Sequence, residues 1–290
     1  MDHQQSPANP PATVRRRTWK RRIKTLCVLM GIYFVVMACA PVADMLLLHP
    51  NNGSADAAGA QRRALAFQSG ELEVWVERSP AAQSREPEAF VLGFVGNAAR
   101  AEYLAAPEAW QWQDKPVEVW AVNWPGYGGS TGPARLSKLA PAGLAAYDEL
   151  ARVANGRPIY VHGTSLGTAV ALHVAANRKV AGVILQNPPP LRALILGRFG
   201  WWNLWLAAGP VALQVPADLD SIENARRCTA PGVYFTCEND TLVPPDYQRR
   251  IVDAHAGPKR HVILRNADHN TPACTQADDY RQAIQWLWAR

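Results

Sequence analysis

The 290 residues are 48% hydrophobic and 19% charged, with 11 Trp, which suits one good-sized domain with its own core and excludes a disordered chain. The net charge of +6 sits at one end: Arg15, Arg16, Arg17, Lys20, Arg21, Arg22 and Lys24 face one acid, Asp2, and beyond residue 25 there are 23 basic and 23 acidic residues. A neutral body excludes a basic nucleic-acid face.

In chain order, residues 1–24 read as a polar, basic, cytoplasmic tail. Thr25 to Ala43 (TLCVLMGIYFVVMACAPVA) carries no charge. It is about 19 residues long, near the length a helix needs to cross the hydrocarbon core. Three readings of residues 25–48 stay open. In the first they are a transmembrane anchor, with the N-terminus inside and the domain outside, by the positive-inside rule. In the second, V-M-A-C at 36–39 is a lipoprotein-type signal with Cys39 as the lipidated residue. In the third they are a signal peptide that is removed. All three put the domain outside the cytoplasm, in the periplasm of a bacterium. Residues 49–64 read as a linker and residues 65–290 as the domain. The five cysteines form neither a disulfide framework nor a CxxC motif, and there is no HExxH, so neither a metal nor a cofactor is expected. A Cys228–Cys237 bridge is left open for an oxidising compartment.

Within the domain, ELEVWVE (71–77), AFVLGFVG (89–96), VEVWAVNW (117–124), PIYVHG (158–163), VAGVILQNP (180–188), GVYFTCE (232–238) and HVILRN (261–266) read as strands. Residues 98–110, 136–155, 166–177 and the C-terminal DDYRQAIQWLWAR read as helices. Short apolar strands alternating with helices predict an α/β fold with a mostly parallel sheet covered on both faces.

One stretch carries chemistry. G-T-S-L-G at 163–167 leaves a predicted strand and opens a predicted helix, the setting of a nucleophile elbow. Gly163 and Gly167 are the positions where a side chain would collide with the neighbouring strand or helix. The plain alternative is a Gly-rich turn with a surface serine. A serine needs a base, and the elbow predicts the order Ser, acid, His along the chain. Asp240, in the loop leaving 232–238, is the candidate acid, with Glu238 as the fallback and a turn-capping aspartate as the alternative. His269, in the loop after the next strand, is the candidate base. His162, His173, His255 and His261 lie in strands or helices, and His3 and His49 lie outside the expected domain. The oxyanion hole is expected from the backbone N–H groups of Leu166 and Asn97, the latter freed by Gly96.

These residues resemble the α/β-hydrolase superfamily, and within it the membrane-anchored serine hydrolases of the BEM46-like group. The matching stretches are L-L-L-H-P, F-V-G-N-A-A-R, N-W-P-G-Y-G-G-S, H-G-T-S-L-G, E-N-D-T-L-V-P and A-D-H-N, spread over residues 46 to 290. The resemblance implies about eight strands and a Ser165–Asp240–His269 triad. It departs from the group at Val95, where a His is usual, and at Asn123 and Trp124, where an acid and an Arg are usual. Residues 191–215, with Trp201, Trp202 and Trp205, fall where this fold carries a lid-like insertion. They read as lining an acyl pocket, as touching a bilayer, or as core. The function expected is hydrolysis of a neutral or lipophilic ester, amide or thioester, with the small acyl substrate and the membrane as partners. An acyltransferase with the same triad and a non-catalytic binding protein of this fold are the alternatives.

Overall fold

The computed structural model describes residues 12–203 and 205–290. The chain divides into two units after Val42. The first contains helix α1 (Ala12–Cys39). The tail expected over residues 1–24 lies partly outside the described residues, as does the side chain of Cys39. Among the described residues no helix is long and apolar enough to cross a membrane. The segment expected to span over 25–48 takes in the end of α1 and the whole of a second helix over Val42–Leu47. That reading counted an unbroken run to Ala43, but the helix ends at Cys39, ahead of Pro41, because a proline disfavours helical geometry in the residue before it. The charge-free part of α1, from Thr25, is about 15 residues or about 22 Å, against about 30 Å of hydrocarbon.

The second unit runs from Ala43 to Arg290, so the residues expected as a linker belong to the body. After α2 (Val42–Leu47) come β1 (Gln61–Phe67), β2 (Gly70–Arg78), β3 (Ala89–Phe94), α3 (Glu102–Gln111), β4 (Val117–Val122), α4 (Leu136–Ala154), β5 (Ile159–Thr164), α5 (Leu166–Asn177) and β6 (Gly182–Gln186). The chain continues with α6 (Leu191–Phe199), α7 (Ala208–Gln214), α8 (Ser221–Arg227), β7 (Gly232–Cys237), α9 (Pro245–Ala254), β8 (Lys259–Leu264) and α10 (Ala277–Trp288). The strands form one eight-stranded sheet in the order β1-β2-β4-β3-β5-β6-β7-β8. β1–β2 and β2–β4 pair antiparallel; the other pairs are parallel.

The apolar runs explain which strands are central. Every residue of β3, β4, β6 and β7 is buried, as strands covered by helices on both faces must be. α3 and α10 pack against the sheet, and α4, α5, α8 and α9 form a separate contiguous helical layer. Trp112, Tyr160, Phe235 and Tyr280 fill the α3/α10 side, with Phe235 stacked on Tyr280 at 5.0 Å. Each such ring contributes about 2–3 kcal/mol by leaving water. Cys228 and Cys237 are buried free thiols, so the bridge left open by the sequence is not formed. Burial pushes the Cys228 thiol up to about 11.

Candidate active site

The loops after β3, β5, β7 and β8 meet around Ser165. The end of β5 and the start of α5 squeeze Ser165 into φ 49°, ψ −120°, a left-handed region that costs a non-glycine residue about 1–3 kcal/mol. The surroundings hold it there. Ser165 N–H donates to Gln186 O at 2.8 Å, and its carbonyl accepts from Thr168 N–H and Oγ1 at 2.9 and 2.6 Å. A Cβ at Gly163 would lie 2.7 Å from Thr168 Cα, and one at Gly167 would lie 2.2 Å from Phe94 O. The two glycines therefore let α5 and β3 close on the turn.

His269 Nε2 is 3.0 Å from Ser165 Oγ, and His269 Nδ1 is 2.7 Å from Asp240 Oδ2. Asp240 is buried and divides its oxygens. Oδ1 accepts from Leu242 and Val243 N–H at 2.9 and 2.8 Å, while Oδ2 accepts from Gln248 Nε2 at 3.0 Å and faces His269. Asp240 thus caps its own turn through one oxygen and faces His269 with the other. Glu238 is exposed and engaged by Arg265 at 2.9 Å and Asn266 N–H at 3.0 Å, away from His269. Asp268 accepts from Asn270 N–H and Thr271 Oγ1 within its own loop.

The sequence reading missed Asn187, where β6 ends. Its φ is 52°, its Oδ1 accepts from Cys237 N–H at 2.9 Å, and its Nδ2 donates to His269 O at 3.1 Å. It ties the loop of the base to the strand that leads to the acid. The Asn-Pro dipeptide was the available signal, but it marks only a turn.

The turn after β3 is braced by residues that the sequence reading had placed outside the domain, in the 25–48 segment and the linker after it. Asn97 Nδ2 donates to Leu47 O at 2.7 Å, and Asn97 Oδ1 accepts from His49 N–H, Ala98 N–H and Tyr127 OH at 3.0, 3.1 and 2.9 Å. Burial pushes the Tyr127 phenol up to about 12, so it stays a donor at any working pH. Ala98 N–H is engaged by Asn97 Oδ1 and Ala99 N–H by Gly96 O, which leaves the N–H groups of Gly96 and Asn97 without a partner among the described residues. Leu166 opens α5, so its N–H is one of the unpaired first-turn donors, at the positive end of the helix. Trp124 Nε1 donates to Val95 O at 3.2 Å, and Trp124 stacks on Phe94 at 5.5 Å. Asn123 Nδ2 donates to Glu73 and Glu102 at 2.7 and 2.9 Å, and Arg100 pairs with Glu102. The departures at Val95, Asn123 and Trp124 therefore carry a bracing set of their own.

A cavity of about 620 Å³ lies over Ser165 and His269, lined by Gly96, Asn97, Tyr103, Leu104, Glu108, His162 and others. Trp201, Trp202 and Trp205 do not line it, which corrects the pocket-lining expectation. The turn between α6 and α7 points them outward, with Trp201 69% exposed, so they are not core either.

Residues 90–221 match the family described as "Alpha/beta hydrolase family". The match stops short of Asp240 and His269. Two records of an uncharacterized Mycobacterium tuberculosis protein, MT2364 and Rv2307c, are 31% identical over 159 residues, 54% of this chain and 54% of theirs; the chain spans about half the length of the curated relatives it matches. Among solved structures, Est1E from Butyrivibrio proteoclasticus superposes with a TM-score of 0.62 at 14% identity, covering 79% of this chain and 99% of its own. The Pyrococcus furiosus esterase Pf2001 gives 0.62 at 12%, covering 84% and 97%. The body has the α/β-hydrolase fold.

Proposed function

We propose that this chain is a serine hydrolase that cleaves a neutral ester, amide or thioester. The observation that carries the reading is the unbroken line Ser165 Oγ–His269 Nε2 at 3.0 Å and His269 Nδ1–Asp240 Oδ2 at 2.7 Å, facing a cavity. His269 takes the Ser165 proton as Oγ attacks the acyl carbon, and the carbonyl oxygen becomes the oxyanion held by the N–H groups of Asn97 and Leu166. Asp240 holds the ring so that Nε2 faces the serine and stabilises the imidazolium. His269 then returns the proton to the leaving group. Water, deprotonated by the same ring, releases the acid from Ser165. Similarity to two esterase structures supports an ester as first substrate. The narrower resemblance to BEM46-like hydrolases rests on the motifs alone.

A fluorophosphonate probe is expected to label the wild-type chain and not Ser165→Ala, with hydrolysis of a nitrophenyl ester panel falling by several orders of magnitude in the variant. A wild type that neither labels nor turns over any ester would leave a non-catalytic member of the fold.

We also propose that the domain is exported. Seven basic residues precede an apolar stretch in α1 that has the length of a signal-peptide core rather than of a spanning helix. Alkaline phosphatase fused after Arg290 is expected to be active in cells; a fusion that accumulates without activity refutes export. Mass spectrometry of the mature N-terminus reads whether Cys39 carries lipid.

A further inference from the structure

The mechanism leaves the inner end of the cavity unexplained. Tyr103 and Leu242 line its exposed mouth, whereas Glu108, His162 and Tyr280 line it from buried positions. A charged carboxylate in an acyl pocket needs a reason, because burial alone is unfavourable to it. Glu108 is well satisfied: Oε1 accepts from Trp112 Nε1 at 2.9 Å, and Tyr280 OH donates to Oε1 and Oε2 at 3.2 and 2.9 Å. His162 is not. Its side chain is 8% exposed. Nδ1 lies 3.2 Å from Glu108 Oε2, an ion-pair contact when the ring is protonated, but it is out of line for a hydrogen bond. Among the described residues Nε2 forms no hydrogen bond either, and it is not sealed from the cavity. His162 stands three positions before Ser165 on β5, which is about 10 Å along a strand.

Resting on the hydrolase reading, we propose that this inner end is an acyl subsite for an uncharged hydroxyl, and that His162 is its specificity residue. The chemistry of the floor selects among ligands. A cation would have to compete for Glu108 oxygens that already face Trp112, Tyr280 and His162 Nδ1. An anion would sit against Glu108. A hydroxyl donates to or accepts from an imidazole nitrogen in either tautomer and brings no charge into the pocket. A methyl group in its place leaves the ring unpaired. The preferred substrate is an ester whose acyl group carries a hydroxyl on the order of 10 Å from the reacting carbonyl, as strand spacing sets it.

The test uses the full chain and two umbelliferyl esters, of para-hydroxyphenylpropanoic acid and of its para-methyl isostere. The expected result is a preference for the hydroxyl ester of about 10-fold or more in kcat/KM, collapsing to about 1 in His162→Phe. Inhibition of the wild type by the two free acids should fall in the same order and needs no variant to fold. Fluorophosphonate labelling with equal turnover of both esters overturns the subsite and leaves the hydrolase reading standing, as does a preference that survives His162→Phe. Absent labelling together with absent turnover removes both.

Discussion

Gly167 shows how one residue type is forced by its neighbours. Its missing Cβ would sit 2.2 and 2.6 Å from the Phe94 carbonyl and 2.7 Å from Val95 O. These are backbone atoms that move only if β3 and the turn after it move with them. Gly209, in α7, has nothing within 4 Å of the same position. Gly167→Ala is therefore expected to lower stability by about 1–3 kcal/mol through overpacking and to reduce esterase activity by displacing Leu166 N–H. Gly209→Ala should be neutral or stabilising by up to about 1 kcal/mol. Urea denaturation of the two variants measures both, and equal midpoints would remove the steric account of the elbow. The meeting of Ser165, Asp240 and His269 in one hydrogen-bonded line was legible because each follows an apolar strand in the order the elbow demands. Asn187 was not legible, since its role lies in two hydrogen bonds to groups far away in sequence.

Among the elements, the central strands were legible from their continuous apolar runs, and seven of the eight strands in the sheet fell within one or two residues of their expected places. β1 was not. QRRALAF pairs only with β2 at the sheet edge and exposes most of its residues, so it carries no burial pattern to read. The segment from Leu47 to Gly53 was misread for a related reason. Its ties to the turn after β3 and to Arg100 use the carbonyls of Leu47 and Gly53, the His49 N–H and the Asn51 side chain, and a backbone group leaves no trace in sequence. α1 is shorter than the charge-free run that the composition picks out: the run reaches Ala43, and the helix ends at Cys39, ahead of Pro41.

For the whole molecule, the buried carboxylates set the response to acid. At Glu73, burial favours the neutral acid, but Gly129 N–H, Arg62 and Asn123 outweigh it and hold the carboxyl below its ordinary value. At Glu108, burial acts the same way and is outweighed by His162 and the Trp112 and Tyr280 donors. A carboxyl held low in the fold is ionised there before it is in the unfolded chain. The stability it contributes is complete above the unfolded value, about 4.3, and is lost as pH falls through the lower folded value. The urea midpoint is expected to drop steeply from about pH 5 downward. Glu73→Gln should flatten that drop while lowering the midpoint at neutral pH by about 1–3 kcal/mol in stability; an unchanged slope would remove Glu73 from the account. The amino-acid sequence by itself determined the layered α/β architecture, the elbow and the order of its partners, because periodicity, glycine placement and loop position are local properties. Only the tertiary structure decided how the oxyanion turn is braced, that the three tryptophans face outward, and that a histidine on β5 opens beside a buried glutamate. Those features are contacts between segments far apart in the chain, fixed by packing rather than by any local pattern.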